Sequence, residues 1–493
     1  MQGLDRLAFS PAQVREFDRI AIEVGGIPGY TLMSRAGEAV LRAARERFPA
    51  ARRWLVLCGA GNNAGDGYVV ARLAQAAGID CRVAALSDPA KLGGDAAHAW
   101  RDFREAGGEA GPFEPAALER CDLLVDALLG TGLDRPLAGR WLDCVQTVAA
   151  SGRPVVAVDI PTGLHGGTGE VLGAAVPAVL TVTFVGLKQG LFLGHGPDYR
   201  GELRFDPLGI PPDLLPAARP AFALYAAEEL AAWLSPRPAT AHKGLFGHVL
   251  VIGGNVGMGG AARLAGEAAL RAGAGLVSVA THPDNAAALL ASRPELMSRG
   301  ASDAAALAPL LSRASVIALG PGLGRDAWAE AMFDAALAAP QPKILDADAL
   351  NRLAERPQRR DDWILTPHPG EAARLLGCTA ADVQQDRLGA VAALGERYGG
   401  VVLLKGRGTL VGRSGATPWL IDRGNPGMAT AGMGDVLTGV IAGLLAQRGG
   451  EPLAAAAAGA WAHAVAGDRA ALAGQRGLLA SDLLAELRAC LNP

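Results

Sequence analysis

Three aspartates follow apolar runs in the first half of the sequence, and their surroundings suggest a shared site. Asp66 lies in LCGAGNNAGDG, Asp126 begins DALLGTGLDRP, and Asp159 begins DIPTGLHGGTG. Carboxylates can transfer protons. Together with Asn63 and Thr162, Asp126 could also supply hard oxygen ligands to a cation, without histidine or cysteine. The alternative is that these residues are separate turn or helix-capping residues.

A second candidate site lies in GNPGMATAGMGDVLTGVIAG, where Gly432 and Gly434 precede an apolar stretch that predicts a helix beginning near Asp435. Small residues at a helix N-terminus expose backbone N–H groups to an anion such as phosphate, and the helix dipole favours negative charge there. Asp435 is therefore a candidate base for a substrate hydroxyl, or simply a helix cap. The sequence has no Gly-Lys dipeptide, which excludes a Walker A loop.

The elements that must position the first three aspartates are apolar strands alternating with helices. The predicted strands are residues 54–58, 81–86, 122–129, 154–160 and 179–184, with helices at 67–77 and 140–150. The strand patterns are continuous rather than alternating, as in parallel strands covered on both faces. The sequence thus predicts a doubly wound α/β fold, with the aspartates beyond the carboxyl ends of strands, where such sheets bind ligands.

The Gly-rich segment after the first strand also satisfies the dinucleotide pattern G-x-G-x-x-G/A, through Gly59, Gly61 and Ala64. This match is weak by itself, because the pattern normally includes an acidic residue about 20 positions further on, at the end of the second strand. In this sequence Asp88 comes slightly too late. A turn that caps a helix explains the segment equally well.

A change of composition divides the chain. Prolines cluster between residues 206 and 240, and a second α/β alternation then runs through HVLVIGG, LVSVAT, SVIALG, KILDADAL, WILTPHPG and VVLLKG. An Ala/Leu-rich helical region follows, in which residues 453–467 predict a buried helix. We divide the chain into an N-terminal domain (1–220), a Pro-rich connector (221–240) and a C-terminal domain (241–493).

Composition narrows the classes of function. The 493 residues are 50% hydrophobic and 19% charged, with a net charge of −3, which argues against a basic nucleic-acid or membrane surface. The charged N-terminus is not a signal peptide, and the six scattered cysteines argue against disulfides or zinc and for a cytoplasmic protein.

Three of the five lysines (Lys188, Lys243 and Lys405) lie in Gly-flanked segments, where a compact ammonium could have a role.

Four segments together resemble the NAD(P)H-hydrate epimerase domain over roughly residues 10–215: CGAGNNAGDGYVVAR, the GTG loop after Asp126, DIPTGL and FVGLKQGLF. The resemblance implies a Rossmann-like fold, an acidic catalytic residue at Asp159, and a potassium ion on Asn63, Asp126 and Thr162. It also implies that the hydrate binds to Asn62, Asn63, Ala64, Gly65, Asp66, Gly130, Thr131, Gly132, Leu133, Asp134, Arg135 and Pro136. Ala64 is a departure, since the family more often has glycine there.

The second half resembles the ADP/ATP-dependent NAD(P)H-hydrate dehydratases of the ribokinase-like superfamily, over about residues 241–491. The segments that carry the resemblance are AHKGLFGHVLVIGG, LGPGLG, LDADAL, LTPHPGEAARLLG, VVLLKGRGTLV and the Gly432-Met433-Gly434-Asp435 turn. The resemblance implies a catalytic Asp435 and substrate contacts at Ala261, Gly322 and His368. It places the nucleotide at Lys405, Gly406, Arg407, Gly408, Thr409 and Gly434. His368 could instead cap its turn, and Glu371 could merely begin a helix.

Taken together, the two resemblances imply a bifunctional enzyme that epimerises the R and S forms of NAD(P)H hydrate and dehydrates the S form with ADP or ATP. They imply K⁺ at the first site, Mg²⁺ with ADP or ATP at the second, and a homo-oligomer with only small molecules as partners. One alternative is a ribokinase-type hydroxyl kinase fused to a Rossmann-like module. A nucleotide sensor without turnover is another, but Asp159 and Asp435 in the proper loops weigh against it.

Overall fold

The computed structural model describes residues 3–215, 218–448 and 451–492. The chain forms two compact units that divide between Ala223 and Leu224. None of the helices in the described ranges is long and apolar enough to cross a membrane.

The N-terminal unit is built on a parallel sheet. Its seven described strands are, in spatial order, Ala110–Gly111, Asp80–Ala85, Arg53–Cys58, Leu123–Ala127, Val155–Val158, Leu180–Phe184 and Glu202–Asp206. The central strands are buried along their whole length, because helices cover the sheet and leave no polar face. A short strand, Leu7–Phe9, pairs in parallel with Leu187–Lys188. The predicted doubly wound α/β pattern is confirmed for this unit.

The α-helices of this unit are Pro11–Glu23, Gly29–Arg47, Asn62–Ala76, Gly94–Glu105, Arg140–Ala150 and Gly196–Tyr199. The predicted start of the third helix at residue 67 is wrong. Gly61 adopts a φ of 81°, and the helix begins directly after it at Asn62. The segment Asn62 to Asp66, expected as a Gly-rich loop, is therefore the first turn of a helix.

Two glycines allow this helix to pack closely, even though glycine weakens a helix. A Cβ on Gly65 would lie 2.6 Å from Met33 Sδ, and one on Gly67 would lie 2.6 Å from Ala127 Cβ. The tight packing holds the first turn of the helix at the end of the strand Arg53–Cys58.

The C-terminal unit contains a longer mixed sheet. Its strands are, in spatial order, Met297–Gly300, Leu276–Thr281, His248–Ile252, Val316–Leu319, Lys343–Leu345, Trp363–Leu365, Val401–Leu404, Thr409–Gly412 and Trp419–Ile421. Neighbouring strands among the first seven pair in parallel, and each of the last two strands pairs antiparallel with the strand before it. The carboxyl ends of the parallel strands form one edge, which is where ligands bind in open α/β sheets.

The α-helices of this unit are Ala227–Trp233, Gly259–Arg271, Ala286–Ser292, Ala304–Leu311, Ala327–Ala338, Asp348–Glu355, Pro369–Leu376, Ala380–Gln385, Arg387–Tyr398, Met433–Arg448, Pro452–Ala470 and Ala480–Cys490. The predicted buried helix at 453–467 is confirmed within Pro452–Ala470. Helix Met433–Arg448 approaches Gly259–Arg271 closely, since a Cβ on Gly439 would lie 2.0 Å from Ala265 O. This contact fixes the helix that begins beside Asp435.

The stretch 221–240, expected as a Pro-rich connector, contains regular structure. Phe222–Leu224 is a strand and Ala227–Trp233 is a helix. The strand and the helix form because Phe222 and Leu230 are fully buried, so apolar burial outweighs the nearby prolines.

Two candidate active sites

A cavity of about 940 Å³ lies at the carboxyl edge of the N-terminal sheet. Most of the residues expected to bind the hydrate line it: Asn62, Asn63, Asp66, Gly130, Thr131, Gly132, Leu133, Asp134, Arg135 and Pro136, together with Asp159. Two expected residues are placed elsewhere. Ala64 is fully buried, and Gly65 faces Met33 and Ala96, so both support the helix from within the protein.

Asp159 is held in an unusual backbone conformation at the wall of this cavity. Its φ of 68° lies in the left-handed region, which non-glycine residues rarely adopt and which is enriched at functional sites. The carboxylate accepts hydrogen bonds from Lys188 Nζ, from Thr183 Oγ1 at 3.2 Å and from Phe184 N at 3.3 Å. These contacts fix the direction in which the carboxylate points.

Lys188 is a partner that the sequence did not assign to this site. Its side chain is 2% exposed and donates to Phe184 O at 2.8 Å and to Thr183 Oγ1 at 3.2 Å, as well as to Asp159. In the sequence, the Gly-flanked position of Lys188 in GLKQG was the one feature that marked this residue. A buried ammonium thus balances the charge of Asp159 inside the cavity.

Two further carboxyl groups, Asp18 and Asp66, line the same cavity. Burial raises the pKa of Asp18 to about 6; Lys188 opposes this shift and Asp159 adds to it. Burial, followed by the charges of Asp159 and Asp18, raises the pKa of Asp66 well above its ordinary value. The cavity therefore holds two carboxyl groups that keep a proton more readily than a free aspartate, beside an ion pair, which is an arrangement for acid–base chemistry. Sequence reasoning missed Asp18 because it lies on the first helix, outside any motif.

Asp126 and Thr162, predicted to ligate a cation, are in direct contact. The buried carboxylate of Asp126 accepts hydrogen bonds from Thr162 N at 2.8 Å, Thr162 Oγ1 at 2.7 Å and Leu128 N at 3.2 Å. Burial raises the pKa of Asp126 to about 6, although these hydrogen bonds oppose the shift. The two residues are thus one linked pair rather than separate turn residues.

The third predicted ligand, Asn63, is 8% exposed, and its amide nitrogen Nδ2 has no hydrogen-bond partner in the described structure. A Cβ on Gly130 would lie 3.6 Å from Asn63 Oδ1, so Asn63 lies against the GTG loop. In the described ranges, no cluster of three or more histidine, cysteine or acidic residues is arranged to hold a metal.

In the C-terminal unit, Asp435 lies in the first turn of helix Met433–Arg448. Gly432 has a φ of 88°, and a Cβ there would lie 2.8 Å from Leu264 Cδ1. Burial raises the pKa of Asp435 to about 7, Asp346 raises it further and Lys405 lowers it. A carboxyl with a pKa near neutral pH is suited to accept a proton.

Lys405 is surrounded by carboxylates at the end of strand Val401–Leu404. Its Nζ lies 2.7 Å from Asp346 Oδ1 and 3.8 Å from Glu371 Oε2. Burial opposes the charged amine, but the charges of Asp346, Glu371 and Asp435 and the hydrogen bond to Asp346 together raise the pKa of Lys405. Sequence reasoning gave Asp346 no role, although LDADAL was among the matching segments.

A buried arginine holds the backbone of the predicted nucleotide loop, residues 405–409, through hydrogen bonds. Arg387 donates to the carbonyl oxygens of Leu404 at 3.2 Å, Lys405 at 3.3 Å and Gly408 at 3.2 Å. Thr409 Oγ1 donates to Gly406 O at 2.9 Å, which closes the loop on itself. The Arg407 side chain is exposed and forms an ion pair with Asp422, with 3.1 Å between Arg407 Nη2 and Asp422 Oδ1.

The three predicted substrate contacts of this unit lie along the same sheet edge. A Cβ on Gly322 would lie 3.2 Å from Ala261 Cβ, so these two residues are neighbours. His368 caps helix Pro369–Leu376: its Nδ1 accepts from Gly370 N at 3.0 Å, and its own N–H donates to Glu371 Oε2 at 2.8 Å. His368 therefore caps this helix together with Glu371, and its role as a substrate contact stays a prediction. The His368 ring remains half-exposed.

The fold and the two sites define a two-unit α/β enzyme, with an acid–base cavity in one unit and a Gly-Asp helix turn beside a partly exposed lysine in the other. Comparison with known proteins agrees: residues 29–190 match the family model "YjeF-related protein N-terminus", and residues 249–489 match "NAD(P)H-hydrate dehydratase". The bifunctional NAD(P)H-hydrate repair enzyme Nnr of Coxiella burnetii is 46% identical over 483 residues, which are 98% of each chain. The chain belongs to the family of bifunctional NAD(P)H-hydrate repair enzymes, and the predicted family is confirmed.

Solved structures resemble the C-terminal unit. A ribokinase-like superfamily protein from Enterococcus faecalis V583 is 31% identical with a TM-score of 0.51, covering 55% of this chain and 95% of its own. An ADP/ATP-dependent NAD(P)H-hydrate dehydratase from Bacillus subtilis, co-crystallised with ATP and Mg²⁺, is 30% identical with a TM-score of 0.49, covering 54% of this chain and 96% of its own. The predicted ribokinase-like fold class is confirmed.

Proposed function

We propose that residues 1–220 epimerise the R and S forms of NAD(P)H hydrate, and that residues 241–493 dehydrate the S form to NAD(P)H with ADP or ATP. The observation that carries the proposal is a lysine beside each predicted catalytic aspartate: Lys188 is buried, and Lys405 is partly exposed. Lys188 Nζ donates a hydrogen bond to the Asp159 carboxylate, and the positive charge of Lys405 lowers the pKa of Asp435. In each unit the lysine and the aspartate lie at the carboxyl edge of the sheet.

Epimerisation requires the hydroxyl-bearing carbon beside the ring nitrogen to lose and regain its oxygen substituent. Asp66 or Asp18, in its protonated form, donates its proton to the hydroxyl, and the C–O bond breaks with loss of water as the nitrogen lone pair forms a C=N bond. The carboxylate of Asp159 stabilises the resulting cation. Water then adds from the other face and returns a proton to the aspartate that protonated the leaving hydroxyl, Asp66 or Asp18, so atoms and charge balance.

Asn63, Asp126 and Thr162 fit a potassium ion by their donor chemistry, because all three can present oxygen. The hydrogen-bond donors that the described structure gives to the buried Asp126 carboxylate are neutral, and an uncompensated buried charge is costly. Asn63 Nδ2 has no partner in the described residues, so rotation of the amide would present its oxygen at the same place without loss of a hydrogen bond from Nδ2. The bound ion would supply positive charge beside the hydrate.

In the C-terminal unit, Asp435 takes the proton of the substrate hydroxyl as that oxygen attacks the terminal phosphoryl group of the nucleotide. The bond from that phosphorus to the bridging oxygen breaks, and AMP leaves from ADP, or ADP from ATP. The nucleotide enters with its Mg²⁺, and the Lys405 ammonium and the backbone N–H groups of residues 432–435 hold the phosphates. The C–O bond then breaks and inorganic phosphate leaves, because the lone pair of the ring nitrogen forms a C=N bond. Loss of a proton from the adjacent ring carbon then restores the C=C bond.

The direct test is to incubate the protein with both hydrate epimers and ADP or ATP, and to follow NADH absorbance. Complete recovery of NADH with release of inorganic phosphate supports the proposal. Release of a stable phosphorylated alcohol would instead indicate a hydroxyl kinase.

A homo-oligomeric state stays a prediction that sedimentation can measure. The cytoplasmic location also stays a prediction, supported by the six cysteines, all of which are free.

A further inference from the structure

Asp346 joins three elements of the C-terminal unit. It follows strand Lys343–Leu345 and is 1% exposed, and both of its carboxylate oxygens are used. Oδ1 accepts from Lys405 Nζ at 2.7 Å, and Oδ2 accepts from Thr438 Oγ1 at 2.9 Å. A strand end, the nucleotide loop and the helix that carries Asp435 therefore meet at one carboxylate.

The meeting point lies directly against the Gly-Asp turn. A Cβ on Gly434 would be 3.2 Å from Lys405 Nζ and 3.5 Å from Asp346 Oδ2, so Gly434 lies directly against both side chains. Asp346 thus lies beside the residue that precedes Asp435, and its negative charge raises the pKa of the Asp435 carboxyl. Neither the hydrate nor the nucleotide needs to touch Asp346 for it to affect both Lys405 and Asp435.

We propose that Asp346 is a positioning residue of the dehydratase, which fixes the Lys405 ammonium beside Gly434 and places a negative charge against the turn that carries Asp435. This inference rests on the proposed dehydratase function and names the residue that orders its reacting groups. Thr438 serves the same purpose by locking the second oxygen of Asp346.

The groups that could otherwise control Asp435 are few. Glu371 approaches it through Lys405, at 3.8 Å from that ammonium. His463, on the packed helix Pro452–Ala470, is uncharged near neutral pH because burial lowers its pKa to about 4. On the packed helix Gly259–Arg271, Arg263 and Glu267 pair with each other at 3.2 Å. The charges that act on Asp435 are therefore those of Asp346 and Lys405.

The substitution Asp346→Asn in the full chain keeps the shape of the side chain and removes its charge. We expect kcat for dehydration to fall about 100-fold, because Lys405 is no longer held in place. We also expect the acid limb of the kcat–pH profile to move about one pH unit lower, since removal of a like charge makes Asp435 ionise more readily. A merely structural residue would lower the amount of folded protein without moving the limb.

Thr438→Val is the matched control, because it removes a hydrogen bond to Asp346 and leaves the charge. It should lower kcat and leave the acid limb in place; a limb shift equal to that of Asp346→Asn would overturn the charge assignment. The variant Lys405→Met provides a second test. Adding Asp346→Asn to it should cost less than threefold further in kcat, and an additional loss of tenfold or more would overturn action through Lys405.

The double variant Asp346→Asn/Lys405→Met removes both partners of the Lys405–Asp346 ion pair, so neither partner is left without the other, and the comparison stands even if Asp346→Asn alone fails to fold. Failure of the inference and failure of the proposed function are distinguishable. If the parent protein has no dehydratase activity, the proposed function is wrong. If the parent is active and Asp346→Asn has the parent's kcat and acid limb, the function stands and the inference is wrong.

Discussion

The ammonium of Lys188, 2% exposed, is bonded to the carboxylate of Asp159, whose backbone has a φ of 68°. The ammonium compensates the carboxylate inside the cavity and fixes it in a backbone conformation that costs free energy. The ion pair therefore belongs to the chemistry of the site more than to the stability of the fold.

We expect Lys188→Met to lower epimerase activity by about 100-fold, because misplacement of a reacting group commonly costs that much. Dehydration of the S epimer should be unchanged. The measurement is the rate of R-to-S conversion in the full chain, and Lys91→Met, at an exposed position, is the matched control. An epimerase rate close to that of the parent would contradict the role of the ion pair.

Potassium should stabilise the protein in a pH-dependent way. The folded-state pKa of Asp126 is raised to about 6 from 3.8, so the stabilising contribution of its protonated form is present below about pH 4 and lost as pH rises through 6. A bound cation replaces that proton, so K⁺ should raise Tm clearly at pH 7 and little at pH 4.5. Thermal unfolding in potassium and in lithium chloride measures the effect.

Asp126→Asn should abolish this potassium effect and lower epimerase activity, whereas Asp143→Asn, at an exposed position, should retain both. Equal stabilisation of the parent and of Asp126→Asn by potassium would exclude Asp126 as a ligand.

Asp435→Asn should lower the dehydration rate by about 10²–10⁴-fold, the usual effect of removing a general base. ADP affinity should hold or improve, because a negative charge near the phosphates is lost. In the parent protein the rate should rise with pH through about 7, where Asp435 becomes ionised. Asparagine caps a helix nearly as well as aspartate, so turnover within a few-fold of the parent would reduce Asp435 to a capping residue.

Arg387→Met should raise the KM for the nucleotide about tenfold, since three carbonyl oxygens of the loop lose a buried donor. Epimerisation should be unaffected. Arg397→Met, on the exposed face of the same helix, is the control. Nucleotide kinetics that match those of the parent would show that the loop holds its shape without Arg387.

Sequence patterns predicted the features that depend on residues close together in the chain. Continuous apolar runs gave the parallel strands, and Gly-rich segments after strands marked both sites. Asp18, Lys188 and Asp346 were missed as site residues because their partners come from distant parts of the chain, and only the folded topology brings them together. The helix start at Asn62 was missed because glycine propensity argues against a helix there, while the close packing of Gly65 and Gly67 requires it.

The division of labour between the two units is tested most directly with a mixture of hydrate epimers, excess ADP and three full-length proteins. The parent should convert the whole mixture to NAD(P)H. Asp159→Asn should convert the S epimer at the parent's initial rate and then slow to the rate of spontaneous epimerisation, and Asp435→Asn should recover little NAD(P)H. Consumption of both epimers by Asp159→Asn at the rate of the parent would contradict the account.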